Sequence, residues 1–296
     1  MNGTGEARVA VYIDFDNIVI SRYDQLFGRG RFNRDKVRVA DNDEADLAAR
    51  IERATVDLGA VLDFASSFGT IAVSRAYADW SVPINAGYRR QLVERAVDLV
   101  QLFPVVASMK NGADIRLSLD VVDDLFRLAD ITHVVVVAGD SDYIALAQRC
   151  KALGRYVVGI GVAGSTSKAL AAACNEFADY DALPGVESLP DPAEPVSENT
   201  TPVVAVDSSK QRRQSERTAR RLLTRALELG AAKNDEEWQA AGAVKNQMLR
   251  MDPTFQERAL GFGSFSEFVK SEGSLVELDE THPSRRIRLR PQGRKA

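Results

Sequence analysis

The chain has few of the residues that build soft metal sites or covalent cross-links, with only 2 cysteines and 2 histidines in 296 residues. Cys150 and Cys174 stand singly in helical patterns beside alanines. That spacing excludes a paired-cysteine metal motif or a disulfide framework and is read as two buried thiols. His133 precedes an apolar run and His282 lies near the far terminus, so they make no shared ligand set. No apolar run approaches the roughly 20 residues needed to cross a bilayer, and the first residues lack a basic stretch followed by an apolar one. The expectation is a cytoplasmic protein with no membrane association. A "GxxxxGK[ST]" loop is missing, and "GIGVAG" at 159–164 follows a late strand without the full dinucleotide fingerprint, which weighs against NAD or ATP chemistry.

What is present is enough apolar material, 45% of residues, for one large or two ordinary domains. The net charge of -4 argues against a uniformly basic coat, but it hides two unlike halves. From Ser209 onward there are 18 Lys and Arg against 12 Asp and Glu, a balance of +6, while the remainder holds 20 against 30, a balance of -10. Between them, residues 183–209 read as a linker without Lys or Arg, interrupted by Pro184, Pro190, Pro192 and Pro202. The expected layout is a first domain over 7–182 and a second over 210–291.

In the first domain, strand candidates at 9–13, 71–76, 103–107, 134–138 and 156–160 alternate with helical stretches at 47–57, 87–99, 114–128, 144–153 and 167–178. Such alternation predicts an α/β fold with a mainly parallel sheet covered on both faces. Residues 23–43, with Gly28 and Gly30, follow no clean period and read as an inserted loop. In the second domain, "SERTARRLLTRALELG" predicts a basic helix, helical segments follow at 236–241 and 244–250, and "SLVEL" with "RRIRLR" predicts a β-hairpin.

The chemistry-bearing residues are carboxylates at strand ends. "VAVYIDFDN" places Asp14 and Asp16 at the end of the first strand, on one side if the strand continues. In "MKNGADIRLSLDVVDDLF" the row Ile115, Leu119, Val122 and Phe126 has helical spacing and is expected to pack on the sheet. Asp120, Asp123 and Asp124 are then expected to face solvent. Asp114 stands apart at the helix start, where it suits either a cap or a metal ligand. "VVVVAGDSDY" reads as a buried strand, a turn at Gly139 and then Asp140 at the carboxyl edge, with Ser141 or Asp142 able to cap the next helix. If Asp14, Asp114 and Asp140 converge there, their mutual repulsion is relieved by a divalent cation, and an all-oxygen set suits Mg2+ or Mn2+ better than zinc. Such an ion activates water and steadies a phosphodiester's developing charge. Phosphatase chemistry would use the same features.

"VYIDFDN" (11–17), "KNGADIRLSLD" (110–120), "VVVVAGDSDY" (134–143) and "GRYVVGIGVAGSTSKALAAACNEF" (154–177) together resemble the NYN family of PIN-like ribonucleases. The resemblance implies a Rossmann-like three-layer sandwich acting on RNA with Mg2+ or Mn2+. It implies metal-site roles for Asp14, Asp114 and Asp140, a further ligand or water-orienting role for Asp142, and a polar site role for Asn17; Asp120 also falls in the matched motif. "VKNQMLRMDPTFQERALGFGSFSEFVKSEGSLVEL" (244–278) resembles an OST-HTH or LOTUS domain, a winged-helix-like module that binds RNA or adapts proteins. Phe255, Phe262, Phe265 and Phe268 are its core candidates, and Arg212, Arg213, Arg217, Arg220 and Arg221 offer phosphate contacts or a solvated helix face. The expected activity is metal-dependent endoribonuclease; the alternative is a noncatalytic RNA-binding or regulatory adaptor with an NYN-like shell.

Overall fold

The computed structural model describes residues 6–39, 45–103, 112–186, 208–234 and 236–290. Contacts divide the chain into two units, 1–188 and 189–296. The first contains β1 (Arg8–Asp14), α1 (Phe15–Phe27), α2 (Arg31–Arg34), α3 (Ala45–Arg53), α4 (Leu58–Ser66) and β2 (Thr70–Ala78). These are followed by α5 (Pro83–Ala86), α6 (Arg89–Glu94), β3 (Asp98–Gln101), α7 (Gly112–Arg127) and β4 (His133–Val137). It closes with α8 (Ile144–Ala152), β5 (Tyr156–Gly161), α9 (Lys168–Ala173) and β6 (Glu176–Asp179).

The six strands lie in the order β3-β2-β1-β4-β5-β6, and every neighbouring pair is parallel. Period-two alternation sends Val9, Val11 and Ile13 into one core with α1, α4 and α6, and Ala10 and Tyr12 into the other with α7, α8 and α9. Both faces are therefore buried, which is why the strands read as continuous apolar runs. The chain runs outward from β1 in one direction and from β4 in the other. A crevice consequently opens at the carboxyl ends of β1 and β4, where doubly wound sheets bind their ligands.

Several local expectations need correction. The row expected to pack on the sheet is turned outward: Ile115, Leu119 and Phe126 are 61%, 63% and 64% exposed, with Val122 half-buried. The buried row of α7 is Leu117, Val121 and Leu125, together with Asp124. Periodicity assigned Asp124 to solvent because it could not see Arg75 on β2 and the Tyr12 hydroxyl on β1, both of which hydrogen-bond its carboxylate. A carboxylate so paired can be buried. Asp120 is likewise half-buried rather than free, accepting from the Tyr77 hydroxyl and from Arg116.

The segment read as an inserted loop begins inside α1, which runs to Phe27. Tyr23 within it and Phe32 beyond it are buried against each other, and the Asp24 carboxylate accepts from the backbone N–H of Gly30 and Phe32. Residues 40–43 of that stretch lie outside the described residues. The stretch 167–178 is not one helix, because the Asn175 side chain and backbone N–H both bond to Val157 and start β6. Phe177 then lies over Gly159, where a Cβ would meet its ring at 2.4 Å. The strand expected at 103–107 occurs earlier, as the edge strand β3; Phe103 lies beyond its end and 104–107 lie outside the described residues.

The second unit contains α10 (Ser208–Asn234), β7 (Gln239–Ala240), α11 (Ala241–Met251), α12 (Phe265–Ser271), β8 (Val276–Asp279) and β9 (Arg286–Leu289). A three-stranded antiparallel sheet, β7-β9-β8, closes over a core of Leu223, Leu227, Met248, Phe255, Phe268 and Ile287. Residues 236–240 are not helical, since Gln239 and Ala240 pair with β9 instead and the helix starts only at Ala241. Gly261 holds a left-handed turn at φ 88°, which lets Phe262 pack on Phe268. Among the described residues, no helix is long and apolar enough to cross a membrane.

Candidate active site

β1 ends at Asp14 and β4 leads into Gly139 and Asp140, so both acids arrive at the crevice between the diverging strands. Asp14 is 4% exposed and caps α1, its Oδ1 accepting from the Asn17 N–H at 3.2 Å. The Asn17 side chain then reaches across, its Oδ1 accepting from the Gly139 N–H at 3.0 Å. Asn17 thereby ties the turn after β1 to the turn after β4.

Tyr143 joins buried Asp14 to half-buried Asp114. Its hydroxyl donates to Asp14 Oδ2 at 2.8 Å and interacts with Asp114 from the first turn of α7. Burial pushes the Asp14 carboxyl up to about 7; hydrogen bonds from Tyr143 and Asn17 oppose the rise, and Asp114 and Asp16 add to it. Burial also raises Asp114, opposed by Tyr143 and reinforced by the Asp140 and Asp142 charges. The Tyr143 phenol is raised strongly by burial and by the two carboxylates, which keeps it a neutral donor. Sequence reasoning passed over this tyrosine. Its signal was an aromatic directly after the acidic turn in "GDSDY", placed to bury beneath the carboxylates.

Asp140 and Asp142 form an exposed rim. Asp140 caps the turn Ser141–Tyr143, accepting from the Asp142 N–H and the Ser141 hydroxyl, both at 3.3 Å, so the capping expected of Ser141 or Asp142 is performed by Asp140. Asp142 and Asp114 line one groove of about 530 Å³ between α7 and α8. Asp16 does not share the Asp14 side. The chain has already turned into α1, and Asp16 pairs with Arg38 at 2.6 Å and accepts from Asn85 at 2.7 Å.

The donors gathered here are hard oxygens, with no histidine or cysteine among them, and suit Mg2+ or Mn2+. Among the described residues no arginine or lysine pairs with Asp14, Asp114, Asp140 or Asp142, so a cation would meet uncompensated carboxylate charge. Among the same residues, no three or more acidic, histidine or cysteine side chains are close enough together to hold a metal as they stand. Asp14 and Asp114 come together; Asp140 is turned toward its own cap.

The NYN domain profile matches residues 8–181 and the OST-HTH/LOTUS domain profile matches residues 213–288. No curated protein matches the chain. Among solved structures, a protein of unknown function, VPA0982 from Vibrio parahaemolyticus RIMD 2210633, is similar at 18% identity. That match covers 60% of this chain and 96% of that one with a TM-score of 0.45. With its sheet order, its acids at the β1 and β4 ends and a match over more than half its length, the chain belongs to the NYN domain family and carries an OST-HTH/LOTUS domain after it.

Proposed function

We propose that the protein is a divalent-metal-dependent endoribonuclease. The observation that carries this reading is the pairing of Asp14 with Asp114 through Tyr143, at the sheet's switch point and without a cationic partner among the described residues. An NYN domain points to a PIN-like nuclease, and an OST-HTH/LOTUS domain points to RNA rather than DNA as the polymer. Asp14 and Asp114 would hold Mg2+ or Mn2+, with Asp140 and Asp142 contributing charge from the rim. A bound ion would supply Lewis acidity toward the phosphodiester and a more acidic water.

The remaining work falls to the chain itself. Tyr143 holds buried Asp14 and half-buried Asp114 in one orientation through its hydroxyl, and Asn17 keeps the two strand ends at a fixed separation. The open groove beside Asp114 and Asp142 admits a polymer from solvent. The OST-HTH/LOTUS domain recruits RNA or a protein partner.

Purified full-length protein should cleave single-stranded RNA with Mg2+ or Mn2+, leave DNA and a phosphomonoester largely intact, and lose activity in EDTA. Asp140→Asn should retain the fold, since asparagine keeps the Oδ1 acceptor that caps the turn, and should lose tenfold or more of the cleavage. Equal RNA cleavage by wild type and Asp140→Asn would remove this assignment. RNA binding without cleavage under either metal would favour the adaptor reading, which is motivated by the outward-facing Asp140.

Tyr143→Phe tests the Asp14 and Asp114 pair separately. It should weaken activation by Mn2+ by about 10- to 100-fold, the usual cost of losing a group that orients metal ligands, with little change in far-UV circular dichroism. An unchanged Mn2+ activation curve would show that the phenol only packs.

A further inference from the structure

We infer that the groove between α7 and α8 is the track along which one single-stranded flank of the RNA leaves the reacting corner, with Arg149 as its phosphate contact. This rests on the nuclease reading above. Asp114, the half-buried partner of Asp14, lines the groove together with Asp142, and Arg149 lines it from the exposed face of α8. Arg149 follows Asp142 by seven positions, roughly 10 Å along a helix, which suits a neighbouring phosphate rather than the scissile one. The Arg149 guanidinium makes no ion pair or hydrogen bond with the described residues, unlike Arg116 and Arg127 on the facing helix, which pair with Asp120 and Asp123.

Between the charged ends the wall is apolar, formed by Ile115, Leu119 and Val122 of α7 with Ala145 and Leu146 of α8. This is the row that periodicity assigned to the core and that the fold turns outward. An exposed apolar row beside a functional cleft marks a contact surface. A polynucleotide strand offers base and ribose faces for such a wall and one negative charge per nucleotide for Arg149. Continuity with the carboxylate corner favours this occupant over a protein helix, because whatever fills the groove ends against Asp114 and Asp142.

The test uses the full-length protein and an oligoribonucleotide of about 20 residues carrying 4-thiouridine. Arg149→Glu should raise KM for cleavage by about tenfold with a smaller effect on kcat, and the effect should shrink for a dinucleotide. Arg149→Ala should make the salt dependence of binding shallower by about 0.7 in log–log slope, and Arg149→Lys should restore most of the wild-type KM. In EDTA, photo-crosslinks should fall on peptides spanning 112–127 and 142–152. An unchanged KM in Arg149→Glu, alongside lost cleavage in Asp140→Asn, would overturn the track and leave the nuclease reading standing. Crosslinks in the groove that weaken in Arg149→Glu, with no cleavage by any form, would keep the track and overturn the nuclease reading. Crosslinks confined to 208–290 would overturn the track and leave the apolar row to a protein partner.

Discussion

Asp14→Asn should lower cation-dependent RNA cleavage by about a hundredfold or more and, in the same protein without metal, raise thermal stability at pH 8. Both effects come from one burial. The Asp14 carboxyl titrates near 7 in the folded chain against 3.8 as the ordinary value. Between those pH values the native state holds a proton that the unfolded chain has lost. Stability from this group is therefore complete below about pH 4 and falls as pH rises toward 7, after which the penalty is constant. Asparagine never ionises, so it escapes a penalty on the order of a few kcal/mol and keeps an oxygen for the Asn17 N–H. Unfolding of wild type and variant in EDTA should give similar stability at pH 4 and a clear advantage to the variant at pH 8. A variant less stable at both pH values would show that Asp14 is there for structure. The coupling also makes metal binding release a proton, so apparent Mn2+ affinity should increase from pH 6 to pH 8.

The second large effect falls outside the site. Asp124→Ala should destabilise the first domain by about 3–5 kcal/mol, lowering its melting temperature by roughly 10 °C. The substitution leaves the Arg75 guanidinium and the Tyr12 hydroxyl without their buried acceptor between α7 and the sheet. Urea denaturation measures the loss. Combining Asp124→Leu with Arg75→Met should recover much of it, because removing both charges avoids an orphaned ion. A loss below about 1 kcal/mol in Asp124→Ala would show that water reaches the pair, as in a surface salt bridge.

Some features of this fold were legible because they depend on local repetition. Runs such as "HVVVV" and "YVVGIG" are buried on both faces of the sheet, so their strands read directly from apolar content. The acids at the ends of β1 and β4 were legible for the same reason, since a polar residue closing an apolar strand stands at the sheet's edge. The faces of α7 were not. That helix carries apolar residues on two sides, and 3.6-residue spacing fits either row. What decided was Asp124, whose partners lie on β1 and β2, far away in sequence.

The candidate site divides along the same line. Residue order alone determined a parallel α/β domain, the carboxylates placed at its strand ends, and a second domain resembling OST-HTH/LOTUS, because each is written in contiguous residues. Only tertiary structure decided that Asp14 and Asp114 meet through Tyr143, that Asp140 faces its own cap, that Asp16 pairs with Arg38, and that Asn17 bridges to Gly139. Three of these contacts join residues more than twenty positions apart, and which partner a side chain finds at that range depends on strand order and the direction in which each helix leaves the sheet.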